Sequence, residues 1–163
     1  MSATCVFAGS FDPVTLGHLD LIRRVSVLFD RVTVTVMNNI SKKSAIRTVD
    51  RIMLLEKACR PYTKVRIDAW DGLLADYMRS HGETILIRGV RNTAEYEHEY
   101  SVSLINRKLY PEMETLLIPS DPVFACVSSS AVRELISFGG CIDDLVPESV
   151  KQDITDLLSK TTK

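Results

Sequence analysis

The ten residues Gly9–His18, GSFDPVTLGH, combine residue types that suit the binding of a phosphate group. They follow a short apolar run, Cys5–Ala8, and precede an amphipathic segment, so a strand, a turn and a helix are expected in succession. The open backbone N–H groups at a helix N-terminus attract anions, and the helix dipole adds to that attraction. Gly9 and Gly17 allow a ligand to approach closely, and His18 could donate a hydrogen bond to a phosphate. The same residue types also form ordinary loops, so this stretch alone leaves both interpretations open.

A second basic group, Arg88-Gly89-Val90-Arg91-Asn92, follows the predicted strand Thr84–Ile87. Guanidinium groups pair bidentately with phosphoryl oxygens, so two arginines flanking a glycine at the end of a strand suit phosphate binding. An isolated arginine in a loop is more often a solvated surface charge. The position of the pair at the end of a predicted strand favours the functional interpretation.

Two further segments could contribute to the same site. Lys42 and Lys43 come after the predicted strand Arg31–Met37, although a charged run in a loop is usually solvated surface. Ser128-Ser129-Ser130 precedes a predicted helix and offers hydroxyl groups and N-terminal amides to a phosphate. These serines could equally form an ordinary helix N-cap.

The sequence lacks the motifs of several other kinds of site. It has no cysteine or serine nucleophile with a plausible base, no G-x-x-x-x-G-K-[ST] loop, no G-x-G-x-x-G fingerprint and no His/Cys cluster for zinc. Basic groups and helix N-termini around phosphates, without a covalent nucleophile, are typical of direct phosphoryl or nucleotidyl transfer. In that chemistry the protein positions the substrates and neutralises the charge of their phosphates, while one substrate supplies the nucleophile.

Strand-like and helix-like segments alternate along the chain, which predicts right-handed βαβ units and a parallel sheet. Five strands indicate a doubly wound, Rossmann-like α/β fold with additional C-terminal helices. Ligands of such folds bind at the carboxyl ends of the strands, so loops 9–18, 38–47, 70–74, 88–92 and 119–130 should share one edge. The predicted strands are Thr4–Ala8, Arg31–Met37, Lys64–Ala69, Thr84–Ile87 and Glu114–Ile118.

Apolar residues at helical spacing predict six helices. Gly139-Gly140 is expected to end the fifth of them. Leu73 is predicted to be a core residue at the start of the third helix, where Leu74 could instead line a substrate channel. The helices are indicated by Leu21–Phe29, a segment from Thr48 to Ala58, Leu73–Met78, Tyr96–Leu104, Ser129–Phe138 and Val150–Leu158.

Length and composition indicate one globular domain over residues 1–163. The net charge is −1, so no overall basic field would draw the chain to nucleic acid. The four cysteines lack metal-binding spacing and are expected to be free thiols in a reducing compartment. There is no basic leader at the start and no apolar run long enough to cross a membrane, so we expect a soluble, cytoplasmic protein without a membrane partner.

Together these segments resemble a known family. Residues 9–13 with Thr15-Leu16-Gly17-His18 resemble the T-x-G-H form of the nucleotidyltransferase signature. Similarity to bacterial phosphopantetheine adenylyltransferases runs along nearly the whole chain with the family's spacing. The further segments that carry it are Ile87–Asn92, Glu95–Glu99, Asn106, Val127–Ser130, Val132–Glu134 and Val146–Glu148.

The resemblance implies that an adenylyl group passes from ATP to 4′-phosphopantetheine, giving dephospho-coenzyme A and pyrophosphate. The phosphate of the acceptor would attack the α-phosphorus of ATP in line, with Mg²⁺ assisting and no covalent enzyme intermediate. By the same analogy the protein would be a homohexamer that is inhibited by coenzyme A.

The resemblance also implies the roles of individual residues. The catalytic groups would be His18, Lys42 and Arg91, with His18 stabilising charge on the transferring phosphoryl group. The phosphopantetheine site would comprise Ser10, Lys42, Leu74, Arg88 and Asn106. The ATP site would comprise Gly9, Ser10, Phe11, His18, Gly89, Val90, Arg91, Glu99, Phe124, Ala125, Cys126, Val127, Ser128, Ser129 and Ser130.

The chain departs from the family pattern at several positions. A proline and an aromatic residue usually follow the lysine, before Glu-Glu-Arg, whereas residues 43–51 here read KSAIRTVDR. Leu16 replaces a commoner asparagine, and His98 stands where tyrosine is common. None of these changes removes His18 or one of the basic residues.

Two other functions are consistent with parts of the sequence. A related nucleotidyltransferase could act on nicotinate mononucleotide or a phospho-alcohol, but such relatives usually carry histidine where Thr15 stands. A non-catalytic nucleotide-binding module would be expected to lose His18 or the basic pair, and both are present. Both observations favour the adenylyltransferase.

Overall fold

The computed structural model describes residues 3–38 and 43–161. At its centre is a five-stranded parallel sheet with the order β3-β2-β1-β4-β5, which confirms the predicted fold class. The strands are β1 Thr4–Gly9, β2 Arg31–Met37, β3 Val65–Trp70, β4 Ile85–Val90 and β5 Glu114–Pro119.

The strand order reverses at β1, and the loops that follow the parallel strands lie at one edge of the sheet. From β1 the chain runs outward through β2 and β3, then crosses to β4 and β5 on the other side. The strands pair in parallel, so Gly9 lies opposite Val36, and Val90 lies opposite Pro119 at the same edge. The gap between the carboxyl ends of β1 and β4 is therefore the position where ligands of doubly wound sheets bind.

Within the described residues, six α-helices cover the two faces of the sheet. Two short 3-10 helices, Pro122–Phe124 and Glu148–Val150, accompany them. The helix Ser129–Ser137 ends just before Gly139, which has a φ of 72° that few residues other than glycine adopt readily. The helices are α1 Leu16–Leu28, α2 Thr48–Cys59, α3 Leu74–Ser80, α4 Thr93–Leu109, α5 Ser129–Ser137 and α6 Lys151–Thr161.

The core has two parts because successive side chains of β1 point to opposite faces of the sheet. Phe7 belongs to a cluster that includes residues of α1, α2, α5 and α6. Val6 and Ala8 belong to a second cluster, with Tyr77 and Met78 of α3. Both faces of β1 are fully covered, which accounts for its continuous apolar sequence.

Several sequence expectations need correction. β4 extends to Val90 because it pairs with β5 along its whole length, so Arg88 and Gly89 lie within the strand and not in the following loop. Leu73 is 58 % exposed, because it precedes the first turn of α3, and its prediction as a core residue is wrong. The last helix begins at Lys151, because residues 148–150 form a 3-10 turn.

The apolar residues that indicate the fourth helix do not belong to the core. Tyr96, Tyr100 and Leu104 are each about half exposed. The helix itself is present, since α4 spans Thr93–Leu109. Its buried contacts are instead made through polar residues such as Glu99 and Asn106.

In the part of the chain that the structure describes, every helix is too short or too polar to cross a membrane.

Candidate active site

The loop after β1 brings a buried aromatic ring beneath the histidine of α1. Phe11 has a φ of 46° and is 1 % exposed. Its ring meets Phe7 and His18 edge-on, at centroid distances of 5.4 and 5.0 Å. Phe11 therefore supports the imidazole, and only its backbone could contact a ligand. The neighbouring Ser10 is exposed at the edge of the sheet.

His18 is held at the start of α1 by a reciprocal cap with Thr15. The Thr15 hydroxyl accepts the backbone N–H of His18, and the Thr15 backbone N–H donates to His18 Nδ1 at 3.0 Å. A neutral imidazole has one protonated nitrogen, so this bond places the proton on Nε2. Desolvation, together with the charges of Arg91 and Arg88, lowers the pKa of His18 to about 4. At neutral pH the side chain is an uncharged donor.

Arg88 is fixed by a carboxylate of α4 and by the end of β1. Its Nε donates to Glu99 Oε2 at 2.7 Å, and its Nη2 donates to Glu99 Oε1. Its Nη1 donates to the carbonyl of Ala8. A guanidinium has five N–H donors, so one remains on each Nη atom for a ligand.

Arg91, the first residue after β4, is held in the same way. Its Nε and Nη2 donate to the Glu95 carboxylate, and its Nη1 donates to the carbonyl of Val127 at 2.8 Å. One donor again remains on each Nη atom. The charges of Arg91 and Arg88 both lower the pKa of His18, so the two guanidinium groups act electrostatically on the imidazole.

The segment before α5 packs against the first turn of α1. A Cβ atom added to Gly17 would lie 3.6 Å from Phe124 Cβ. The Ser129 hydroxyl donates to the carbonyl of Pro13 at 2.7 Å. Ser128 is the N-cap of α5 and accepts from the N–H of Ala131. The predicted N-cap role of the serines is thus present, and it leaves the exposed residues Ala125, Cys126 and Ser130 at the edge of the same loop.

The remaining predicted residues lie in varied positions. Leu74 begins α3 and is partly buried against the second core cluster. Asn106 is 8 % exposed and lies two turns after Glu99 along α4. Val90 is buried in β4. Lys42 lies outside the described residues.

Gly9 and Gly89 have packing reasons for lacking a side chain. A Cβ on Gly89 would overlap the Leu21 side chain of α1, so this glycine allows β4 and α1 to pack closely. A Cβ on Gly9 would lie 3.1 Å from the ring of Phe11. Both glycines shape the site through packing, in addition to any approach of a ligand.

Four residues that sequence reasoning did not select hold the site together. Asp12 accepts the backbone N–H groups of residues 45 and 46 at 2.9 and 2.8 Å. Arg133 donates to the Asp12 carbonyl, and Arg51 donates to the Ser10 carbonyl at 2.7 Å. Glu95 holds Arg91. Asp12, Glu95 and Arg133 lie within segments singled out from the sequence, but their partners are set by tertiary packing.

The fold and this basic site define a nucleotide-handling α/β protein, and comparisons with known proteins specify the class. A family model described as cytidylyltransferase-like matches residues 6–135. A solved structure from Vibrio parahaemolyticus, assigned as a nicotinate-nucleotide adenylyltransferase, superposes with a TM-score of 0.67. That likeness covers 100 % of this chain and 97 % of the other at 14 % identity, and it supports the fold alone.

Curated relatives are much closer in sequence. A phosphopantetheine adenylyltransferase from Dictyoglomus thermophilum is 44 % identical over 149 residues, which is 91 % of each chain. Another, from Alkaliphilus metalliredigens, is 40 % identical over 90 % of this chain and 94 % of its own. A third, from Finegoldia magna, is 42 % identical over 91 % and 92 %. The chain therefore belongs to the phosphopantetheine adenylyltransferase family.

Proposed function

We propose that this protein transfers the adenylyl group of ATP to 4′-phosphopantetheine, yielding dephospho-coenzyme A and pyrophosphate. The observation that carries the proposal is the grouping of His18, Arg88 and Arg91 at the carboxyl edge of the sheet. A neutral imidazole with its proton on Nε2 lies beside two guanidinium groups, each with two donors left for a ligand. Membership of the phosphopantetheine adenylyltransferase family supports this choice of substrates.

ATP would occupy the region between α1 and the segment before α5. Backbone N–H groups at the two helix N-termini suit its phosphates. Arg91 donates to the carbonyl of Val127 in the segment before α5, and its charge acts on His18 of α1. The proposed ATP residues are Gly9, Ser10, Phe11, His18, Gly89, Val90, Arg91, Glu99 and Phe124–Ser130.

Phosphopantetheine would enter between β1, α3 and α4. The exposed Ser10 hydroxyl and the free donors of Arg88 could hold its phosphate, together with Lys42. The partly buried Leu74 and the amide of Asn106 suit a long arm of amide and alkyl groups. Such an arm needs apolar and amide contacts along its length. Unlike a nucleotide acceptor, it has no base that would have to stack against an aromatic side chain.

The chemical step is one displacement at phosphorus. An oxygen of the acceptor phosphate forms a bond to the α-phosphorus of ATP, and the bond to the β-bridging oxygen breaks, releasing pyrophosphate. His18, Lys42 and Arg91 would offset the charge that develops on the transferring group. The acceptor phosphate is already an anion, so the step requires no enzymatic base or covalent nucleophile.

Magnesium is proposed to enter with ATP. Across residues 3–38 and 43–161, no three His, Cys, Asp or Glu side chains are grouped so that they could hold a metal ion. The carboxylates beside the arginines, Glu95 and Glu99, are occupied by guanidinium groups. The phosphates themselves are therefore the proposed ligands of Mg²⁺, which would supply further charge neutralisation.

We also propose a homohexamer. Its support is the exposed apolar face of α4, where Tyr96 and Tyr100 stack with ring centroids 6.3 Å apart. A groove of about 490 Å³ lies between this face and the edge strand β5, lined in part by Leu104 and Leu116. Apolar surface of this kind on an edge strand suits burial between copies of one chain.

Inhibition by coenzyme A and a cytoplasmic location complete the proposal. Coenzyme A contains the same pantetheine arm as the acceptor, so it could compete for the channel beside Leu74. The four cysteines, all within the described residues, are unpaired, as expected in a reducing compartment.

The proposal is tested by measuring pyrophosphate release from ATP with the purified chain. Phosphopantetheine and nicotinate mononucleotide are supplied as acceptors in parallel. We expect turnover with phosphopantetheine and little with the mononucleotide. Comparable turnover of the mononucleotide, or none with phosphopantetheine, would overturn the assignment.

A further inference from the structure

The first turn of α4 contains a carboxylate that is committed to Arg91. Glu95 Oε2 accepts the backbone N–H of Arg91 at 2.9 Å and its Nε at 3.2 Å, while Oε1 accepts from Nη2. The position of Glu95 is itself fixed, because its backbone N–H donates to the N-cap side chain of Asn92 at 2.9 Å. The carboxylate therefore binds both the backbone and the side chain of one residue.

This contact determines where the remaining donors of Arg91 point. An arginine side chain has four rotatable bonds and would otherwise sample many orientations. Glu95 holds the edge of the guanidinium formed by Nε and Nη2, and the Val127 carbonyl accepts from Nη1. Both side chains are about 30 % exposed, so the pair is partly shielded from solvent. The free Nη donors are consequently presented in a single direction.

The same arrangement occurs one helical turn later. Glu99 accepts from Nε and Nη2 of Arg88, and a carbonyl of β1 accepts from Nη1. Glu95 and Glu99 are four residues apart, so they lie on one face of α4. A single helix therefore orients both arginines of the basic group.

We propose that Glu95 is a positioning residue for ATP binding, acting through Arg91. This inference rests on the proposed function. Glu95 does not contact the nucleotide in this arrangement. It holds the Arg91 guanidinium so that one N–H from each Nη atom meets an oxygen of the triphosphate.

Glu95 could instead serve only to cap α4, since its carboxylate also binds a backbone N–H near the helix start. A cap stabilises the protein without changing how Arg91 meets a ligand. The two roles therefore differ in what they do to ATP affinity once the folded fraction is accounted for.

The test uses Glu95→Ala, Glu95→Gln and the matched control Glu97→Gln. Glu97 is exposed on the same helix, and its replacement makes the same change of charge as Glu95→Gln. ATP dissociation constants are measured by calorimetry, and KM for ATP, KM for phosphopantetheine and kcat by pyrophosphate release. Thermal unfolding of each variant is recorded beside them.

We expect Glu95→Ala to weaken ATP binding about tenfold or more, the scale of a lost charge-assisted hydrogen bond. Glu95→Gln should give a smaller loss, because its amide oxygen can still accept the backbone N–H of Arg91. KM for phosphopantetheine should change less than twofold, and Glu97→Gln should behave as the wild type. In an Arg91→Ala background, Glu95→Ala should cause no further loss of ATP affinity.

Unchanged ATP affinity in Glu95→Ala, with or without a lower melting temperature, would overturn the inference. Equal losses for ATP and phosphopantetheine would do the same. These outcomes are separate from failure of the proposed function, because calorimetry with ATP requires no acceptor. A wild-type chain that binds ATP but does not use phosphopantetheine would contradict the function and leave the Glu95 result interpretable.

Discussion

His18 is held as a neutral hydrogen-bond donor by two independent features of its surroundings. The Thr15 N–H occupies Nδ1, which leaves the proton on Nε2. Burial, with Arg91 and Arg88 nearby, lowers its pKa to about 4. A neutral donor can strengthen its bond as charge grows on a phosphoryl group, without repelling the neighbouring arginines.

His18→Ala should therefore lower kcat by roughly 10²–10³-fold, the usual effect of removing one electrostatic donor. KM values should change less, because other groups share ground-state binding. The matched control is His98→Ala, which removes an exposed histidine of α4 and should leave kcat unchanged. A His18→Ala variant with near-wild-type kcat would contradict this role.

The lowered pKa of His18 has a direct consequence for stability. A group that binds its proton more weakly in the folded state favours unfolding as the pH falls. The contribution of His18 to the free energy of unfolding should be complete above its ordinary pKa of about 6.5. It should decline as the pH falls towards 4 and change little below that.

At the scale of elements, one carboxylate joins two functional loops. Asp12, in the loop after β1, is 7 % exposed and accepts two backbone N–H groups from the segment just before α2. Arg133 of α5 also reaches this loop through the Asp12 carbonyl. The loop is therefore tied to segments on both sides of the sheet edge.

Asp12→Ala would leave the N–H groups of residues 45 and 46 without their acceptor. We expect the free energy of unfolding to fall by about 2–4 kcal/mol, since each unsatisfied buried donor costs roughly 1–3 kcal/mol. Asp12→Asn retains one carbonyl oxygen and should lose less. Urea unfolding measures both, with Asp144→Ala as an exposed control. Equal stability of Asp12→Ala and the control would contradict this stabilising role of the Asp12 carboxylate.

The elements themselves were largely predictable from the sequence, because apolar runs and helical spacing are local signals. β1 and β2 match their predicted extents to within one residue. The end of β4 was missed because Arg88 and Gly89 look like loop residues, whereas their pairing with β5 is a non-local interaction. The spacing of Tyr96, Tyr100 and Leu104 correctly indicated α4, but helical spacing alone does not show whether an apolar face is buried, and this one is half exposed.

The charged residues of the candidate site could be identified from the sequence. Gly9–His18 and Arg88–Asn92 meet at one edge, as parallel strands require. The partners of those residues were not predictable, since Glu95, Asp12 and Arg51 make contacts that depend on how α4, α2 and the β1 loop pack together. Residue types identify the chemistry, whereas tertiary packing fixes the orientation of the groups.

At the scale of the whole molecule, the described basic groups of the proposed site, His18, Arg88 and Arg91, lie at one edge of one sheet. The strand order reverses at β1, and the loops that follow β1 and β4 converge there with α5. In the proposed reaction the protein contributes positioned donors and positive charge, while both the nucleophile and the leaving group belong to the substrates. The central claim is therefore a single direct displacement at the α-phosphorus of ATP.

The stereochemical course of the reaction tests that claim most directly. One diastereomer of adenosine 5′-O-(1-thiotriphosphate) is supplied with phosphopantetheine to the wild-type chain, and the configuration at the phosphorothioate of the thio-dephospho-coenzyme A product is determined. A single in-line displacement predicts inversion, whereas a covalent enzyme intermediate requires two displacements and gives retention. Inversion in that product is the expected result; retention, or the absence of the product, would contradict the account.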